Sequence, residues 1–292
     1  MKHIWRRKVF TITVIIILVL TGCIFIELYR SKYLLQVSVS EISSDKITNR
    51  IRIVQLSDNH NSIFGKDNQQ LIEKVKEQAP DIILMTGDLI NSNEANTNIA
   101  TNLISALRDI APVYVSLGNH EVEYRENYGT NIYELYKKAG AVVLDKQYED
   151  IIVNGQSIRL GGIYGYCLPA KYLETKEADP EECAFLTDFQ STEYYTILMC
   201  HIPVCWLIND GLNEWNIDAV FAGHDHGGQI RIPGIGGLWA PDQGWFPGRE
   251  SGLYYSSDNR KVLMLSRGLG SNEKIPRFNN IPEIVVVDFV PK

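Results

Sequence analysis

Five of the six histidines in this 292-residue chain follow runs of apolar and β-branched residues, and each stands among Gly, Asn or Asp or directly beside Cys and Ile. His60 closes Ser57-Asp58-Asn59-His60, and His120 lies in Gly118-Asn119-His120-Glu121. His201 follows Tyr194–Cys200, and His224 and His226 share Gly223-His224-Asp225-His226. Gly87-Asp88 closes a further run without a histidine, and only His3 stands apart. The ends of strands are where open α/β sheets hold ligands. Taken singly, an Asp or Asn after a strand is an ordinary turn or helix cap, and a Gly-His pair is an ordinary turn. Repeated at five separate places, the pattern has a chemical meaning. Imidazole, carboxylate and one amide, with no thiolate required, suit Mn, Fe or Zn. The donors outnumber what one tetrahedral ion takes, so two divalent ions sharing a carboxylate are the economical expectation.

The elements that must position these groups are legible between them. Arg50–Ser57 alternates and is rich in Ile and Val, which predicts a strand. Lys66–Gln78 has the apolar spacing of a helix that Pro80 ends. Asp81–Thr86 is a short continuous apolar run, as a buried parallel strand requires. Ala95–Asp109 predicts a second helix, Pro112–Leu117 a third strand and Asn131–Ala139 a third helix. Alternating strands and helices with short connections imply a parallel sheet with crossover helices. After Gly140 the pattern changes to strands: Ala141–Val143, Tyr148–Val153, Ser157–Tyr164, Tyr194–Met199, Ala219–Phe221, Lys261–Ser266 and Ile284–Phe289. Asn154-Gly155 supplies a hairpin turn. The sum is one α/β domain over 50–292, built as a two-sheet αββα sandwich.

Ahead of it, Lys2, Arg6, Arg7 and Lys8 precede an uncharged stretch from Val9 to Ile26. That stretch is just long enough to cross a bilayer as a helix. We expect a basic cytoplasmic segment over 1–8, a transmembrane signal anchor over 9–29 and a linker over 30–49 with an edge strand at Leu35–Ser40. The basic flank then places the domain outside the membrane. Leu20-Thr21-Gly22-Cys23 also resembles a lipoprotein cleavage box, although the apolar run continues past Cys23. Arg6-Arg7 fits a twin-arginine signal poorly. Composition is that of a globular chain, 45% hydrophobic and 22% charged, with a net charge of −7 that argues against nucleic acid as a partner. Five cysteines without a C-x-x-C pair, Cys167 among them, exclude a zinc ribbon and give no disulfide framework.

The ordered motifs Asp58-x-His60, Gly87-Asp88, Gly118-Asn119-His120-Glu121, His201 and Gly223-His224-x-His226 resemble those of the calcineurin-like metallophosphoesterases over about residues 50–290. The resemblance implies a site that holds two divalent transition-metal ions. Asp58, His60, Asp88 and His226 would hold one, and Asp88, Asn119, His201 and His224 the other, with Asp88 bridging. His120 would be the catalytic histidine that holds no metal. Two ions roughly 3.5–4 Å apart can generate a hydroxide at neutral pH for in-line attack on phosphorus. His120 would protonate the leaving oxygen or stabilise the transition state. Glu121 where Asp is commoner, and Asn91 after Gly87-Asp88, depart mildly from the pattern and remove no ligand.

The segments Gly227–Arg231, Gly252–Tyr254 and Ser266–Gly270 resemble a bacterial membrane-associated branch. That branch implies a phosphodiesterase acting at the cell-membrane surface on a phosphorylated small molecule or lipid. The alternative substrate is a lipid-linked pyrophosphate such as UDP-diacylglucosamine, which an extracytoplasmic domain would not normally meet. Arg267 could contact phosphate or form a salt bridge. Trp239, Trp245 and Phe246 could touch a membrane interface or pack on the domain. A catalytically silent metal-stabilised module is the rival from another class, and the completeness of the motifs opposes it. The Gly-Asn-His-Glu block opposes a single-metal amidohydrolase-like site.

Overall fold

Residues 2–164, 170–175, 177, 179–181, 183–271 and 275–292 are described by a computed structural model of the chain. Cys167 lies outside the described residues. In chain order the helices that matter here are α1 (Lys2–Tyr33), α2 (Gln69–Glu77), α3 (Asn98–Arg108), α4 (Asn119–Tyr128) and α5 (Ile132–Ala139). The strands are β1 (Gln36–Ser44), β2 (Ile51–Leu56), β3 (Ile82–Thr86), β4 (Val113–Ser116), β5 (Val142–Val143), β6 (Gln147–Val153), β7 (Gln156–Ile163), β8 (Tyr195–Cys200) and β9 (Ala219–Ala222). Four two-residue strands follow, β10 (Arg231–Ile232), β11 (Gly236–Gly237), β12 (Trp239–Ala240) and β13 (Gly244–Trp245), and then β14 (Gly252–Tyr255), β15 (Val262–Leu265) and β16 (Glu283–Pro291).

Two six-stranded sheets carry the domain, in the orders β1-β16-β2-β3-β4-β5 and β14-β15-β9-β8-β7-β6. β2 to β5 are parallel, as are β7, β8, β9 and β15. Successive side chains of one strand serve two layers, because a strand's side chains alternate between its faces. On β2, Val54 packs under the helices with Leu71, Leu103, Leu107 and Tyr136, while Ile53 meets Leu84, Ile197, Phe221 and Phe289 between the sheets. The far face of the second sheet is covered by Trp206, Leu212 and Trp215 over Leu198, Val220 and Leu263. The architecture is therefore the two-sheet sandwich with flanking helices that the sequence implies.

Two elements differ from expectation. The edge strand placed at Leu35–Ser40 is β1, and it is longer: it pairs in parallel with β16 from Gln36 to Ser44. With α1 running to Tyr33, little of 30–49 is left as linker. Gln36–Ser40 alternates strictly, but the alternation slips at Glu41 and the partner strand lies at the far end of the chain, so local pattern understates its length. α4 is unforeseen because Asn119–Tyr128 carries no apolar period; Glu121 instead accepts from the Gly118 amide at 2.8 Å and fixes its first turn. α1 is apolar over most of its length with its side chains exposed, and it is long and apolar enough to cross a membrane. Its Ser31 is buried against the domain, where Ser31 Oγ accepts from the Asn280 amide at 3.1 Å.

Candidate metal centre

The loops that follow β2, β3, β4, β8 and β9 meet at one rim of the sandwich. Asp58, His60 and His226 offer donor atoms within 4.8 Å of one another, and so do Asp88, His201 and His224. Asp88 faces both groups: its Oδ2 lies 3.1 Å from His201 Nε2 and 3.7 Å from His60 Nε2. Asp58 Oδ1 lies 3.7 Å from His226 Nε2. His120 also reaches the first group, within 4.8 Å of His60 and Asp88. Asn119 opens α4, and its Oδ1 is buried without a partner.

Small residues make this convergence possible. A Cβ on Gly118 would fall 2.1 Å from Asp88 Oδ1, and one on Gly223 would fall 2.3 Å from Asp58 Oδ2. Both glycines are required by close approach of a carboxylate.

Outer hydrogen bonds set the imidazole tautomers. His201 Nδ1 donates to the Thr86 carbonyl at 2.7 Å and His226 Nδ1 to the Gly270 carbonyl at 3.2 Å. His60 Nδ1 lies 3.0 Å from Asn91 Oδ1, while Asn91 Nδ2 donates to Glu94. Each of these rings thus directs Nε2 into the site, the usual arrangement behind a metal-binding histidine. His224 is turned the other way, with Nε2 3.0 Å from Asp242 Oδ2. His120 differs again: its Nδ1 accepts from the Ser92 amide at 3.1 Å, so the neutral ring carries its proton on Nε2.

The donor set fits divalent cations. Asp58 Oδ2, His60 Nε2 and Asn119 Oδ1 are buried polar atoms with no hydrogen-bond partner among the described residues, which is costly unless something binds there. Burial holds His60 and His226 down at about 3, so both rings are neutral and able to ligate at neutral pH. Burial also opposes charge on His201, but the carboxylates of Asp88 and Asp58 outweigh it and raise that ring to about 10. A cation held by these carboxylates and the ring would displace that proton.

Arg267 is placed in an ion pair, its Nη2 3.1 Å from Glu283 Oε1, which is the structural role left open for it. Trp239 is half-buried, whereas Trp245 and Phe246 are exposed. Sequence reasoning missed Asp242 and the supporting role of Glu121, whose carboxylate accepts from the amides of Asp88, Leu89 and Gly118, each at 2.8 Å. Its place three residues after Gly118 was the available signal for a cap; Asp242 lies in a Pro/Gly turn with none.

A two-sheet α/β domain with a histidine- and aspartate-lined site at its strand ends defines a class of metallohydrolase. The chain belongs to the calcineurin-like phosphoesterase family, whose pattern it matches over residues 51–228. It is 27% identical over 189 residues to Bacillus subtilis (strain 168) YpbG, covering 64% of this chain and 65% of that protein, just under two thirds of its length. It is 25% identical to the phosphodiesterase YaeI of Escherichia coli (strain K12), over 73% of this chain and 72% of the relative. It is 23% identical to the UDP-2,3-diacylglucosamine pyrophosphatase LpxG of Chlamydia muridarum (strain MoPn / Nigg), over 81% and 83%. The chain is a metallophosphoesterase, and its family uses a dimetal centre.

Proposed function

We propose that this chain is a membrane-anchored phosphodiesterase whose two ions are held by Asp58, His60, Asp88 and His226 and by Asp88, Asn119, His201 and His224. The observation that carries this reading is Asp88 Oδ2, which faces a histidine of each group. Bound divalent ions would supply an activated water and neutralise phosphate oxygens. The chain's own residues do the rest. Thr86, Gly270 and Asn91 orient the rings, and Glu121 fixes the loop that presents Asp88. His120 Nε2–H is available to the leaving oxygen.

The relatives named as a phosphodiesterase and a UDP-2,3-diacylglucosamine pyrophosphatase support a phosphoester substrate, and the apolar α1 with its basic flank supports a bacterial cell membrane with the domain outside. An extracytoplasmic domain favours a lipid-head-group or other phosphodiester over a nucleotide-linked lipid. Full-length protein in detergent should bind two Mn²⁺, Fe or Zn ions per chain and hydrolyse bis(p-nitrophenyl) phosphate. Asp88→Ala should lose both properties. Metal-free protein with turnover that ignores a chelator would sink the proposal.

A further inference from the structure

A cavity of about 390 Å³ lies where α1 meets the domain. Its walls include Leu28 and Lys32 of the helix, Ser62 after β2, and Leu269, Ile275 and Arg277 ahead of β16. One backbone segment, Leu269-Gly270, borders both the cavity and the metal centre. Leu269 N donates to Ser57 O at 2.9 Å, Gly270 N to Asp58 O at 2.6 Å, and Gly270 O accepts from His226 Nδ1 at 3.2 Å and from Arg277 Nη1 at 2.9 Å.

Its depth identifies the occupant. Ile26 ends the apolar run, and Leu28 and Lys32 follow it by roughly 3 and 9 Å along the helix axis. That is the head-group layer of a bilayer whose hydrocarbon ends at Ile26. Ile275 also borders a second small recess with Trp245, and both side chains are exposed, as is neighbouring Phe246. Exposed Trp, Phe and Ile at this level suit contact with a membrane interface. Leu28, Leu269 and Ile275 match methylenes.

We propose that this cavity receives the first methylenes of a lipid phosphodiester's apolar chain while its phosphate occupies the metal centre. The membrane helix is then part of the substrate site. The inference rests on the phosphodiesterase reading above. Full-length protein in lipid nanodiscs with Mn²⁺ would be assayed on ethyl and hexadecyl p-nitrophenyl phosphate, which share a leaving group. Membrane partitioning favours the long ester in every variant, so the informative quantity is the ratio of the two kcat/KM values.

Leu28→Asp and Ile275→Asp, on separate segments, should each lower the hexadecyl-to-ethyl ratio about tenfold, the loss expected from uncovering one or two methylenes. Ile208→Asp, an exposed apolar position outside the cavity, should leave the ratio as in wild type. A ratio unchanged in either cavity variant overturns the lipid subsite while leaving the phosphodiesterase standing. Failure of the wild type to hydrolyse even the ethyl ester sinks the phosphodiesterase reading, and the subsite with it.

Discussion

Backbone conformation links the candidate ligands as closely as their side chains do. Asp58, His60, Asp88, His224 and His226 all have φ between 44° and 74°, the left-handed region. Such conformations cost about 1–3 kcal/mol each in residues other than glycine and persist where the surroundings over-determine them. Here the carboxylate and amide bonds do so: His224 N donates to Asp58 Oδ1 and His120 N to Asp88 Oδ1, both at 2.9 Å. The donors were legible in sequence because each follows a strand, all but His201 among small residues. Asn91 and Asp242 were not, because a bond across 31 or 18 residues leaves no local spacing. The role proposed for His120 can be tested apart from metal binding. With Nδ1 taken by the Ser92 amide, His120→Ala should keep both ions and lower kcat by about two to four decades, the usual range for a general acid. Metal analysis beside turnover decides it; loss of an ion would make His120 a ligand.

Among the elements, α4 shows where sequence pattern runs out. Its segment has no apolar stripe, and what holds its start is one buried carboxylate serving three amides and the Tyr136 hydroxyl at 3.0 Å. Burial and the neighbouring Asp88 both push the Glu121 carboxyl above its ordinary value, and the amide bonds from Gly118 and Asp88 oppose them. Glu121→Ala would strand those four donors at about 1–3 kcal/mol apiece, at least about 4 kcal/mol in all. The melting temperature of the chelator-treated protein should fall on the order of 10 °C. Chelation removes any contribution from lost metal, so an unchanged melting temperature would show that other groups hold this loop. The central strands, by contrast, were readable to within a residue or two, since both of their faces are buried and their sequences are accordingly apolar.

For the whole molecule, the sandwich was implied by the order of elements, but the β1–β16 pairing was not, since it joins segments about as far apart as the domain allows. That pairing brings the end of α1 against the loop before β16, and a membrane around α1 would then lie near the rim that carries the candidate metal centre. The proposed orientation rests on charge. Lys2, Arg6, Arg7 and Lys8 precede the apolar run, whereas beyond it in α1 stand only Arg30, paired with Glu27 at 3.0 Å, and Lys32. The excess of cations at the first end favours the cytoplasmic side. The full chain should stay in the membrane pellet through an alkaline wash, because burial of an apolar helix does not depend on titratable contacts. Protease added to wall-permeable cells should digest the domain without lysis. Protection until lysis would invert the orientation and bring nucleotide-linked lipids back as substrates. Cys23→Ser distinguishes the anchors: a lipoprotein would accumulate at its precursor mass, whereas a chain held by α1 would migrate unchanged.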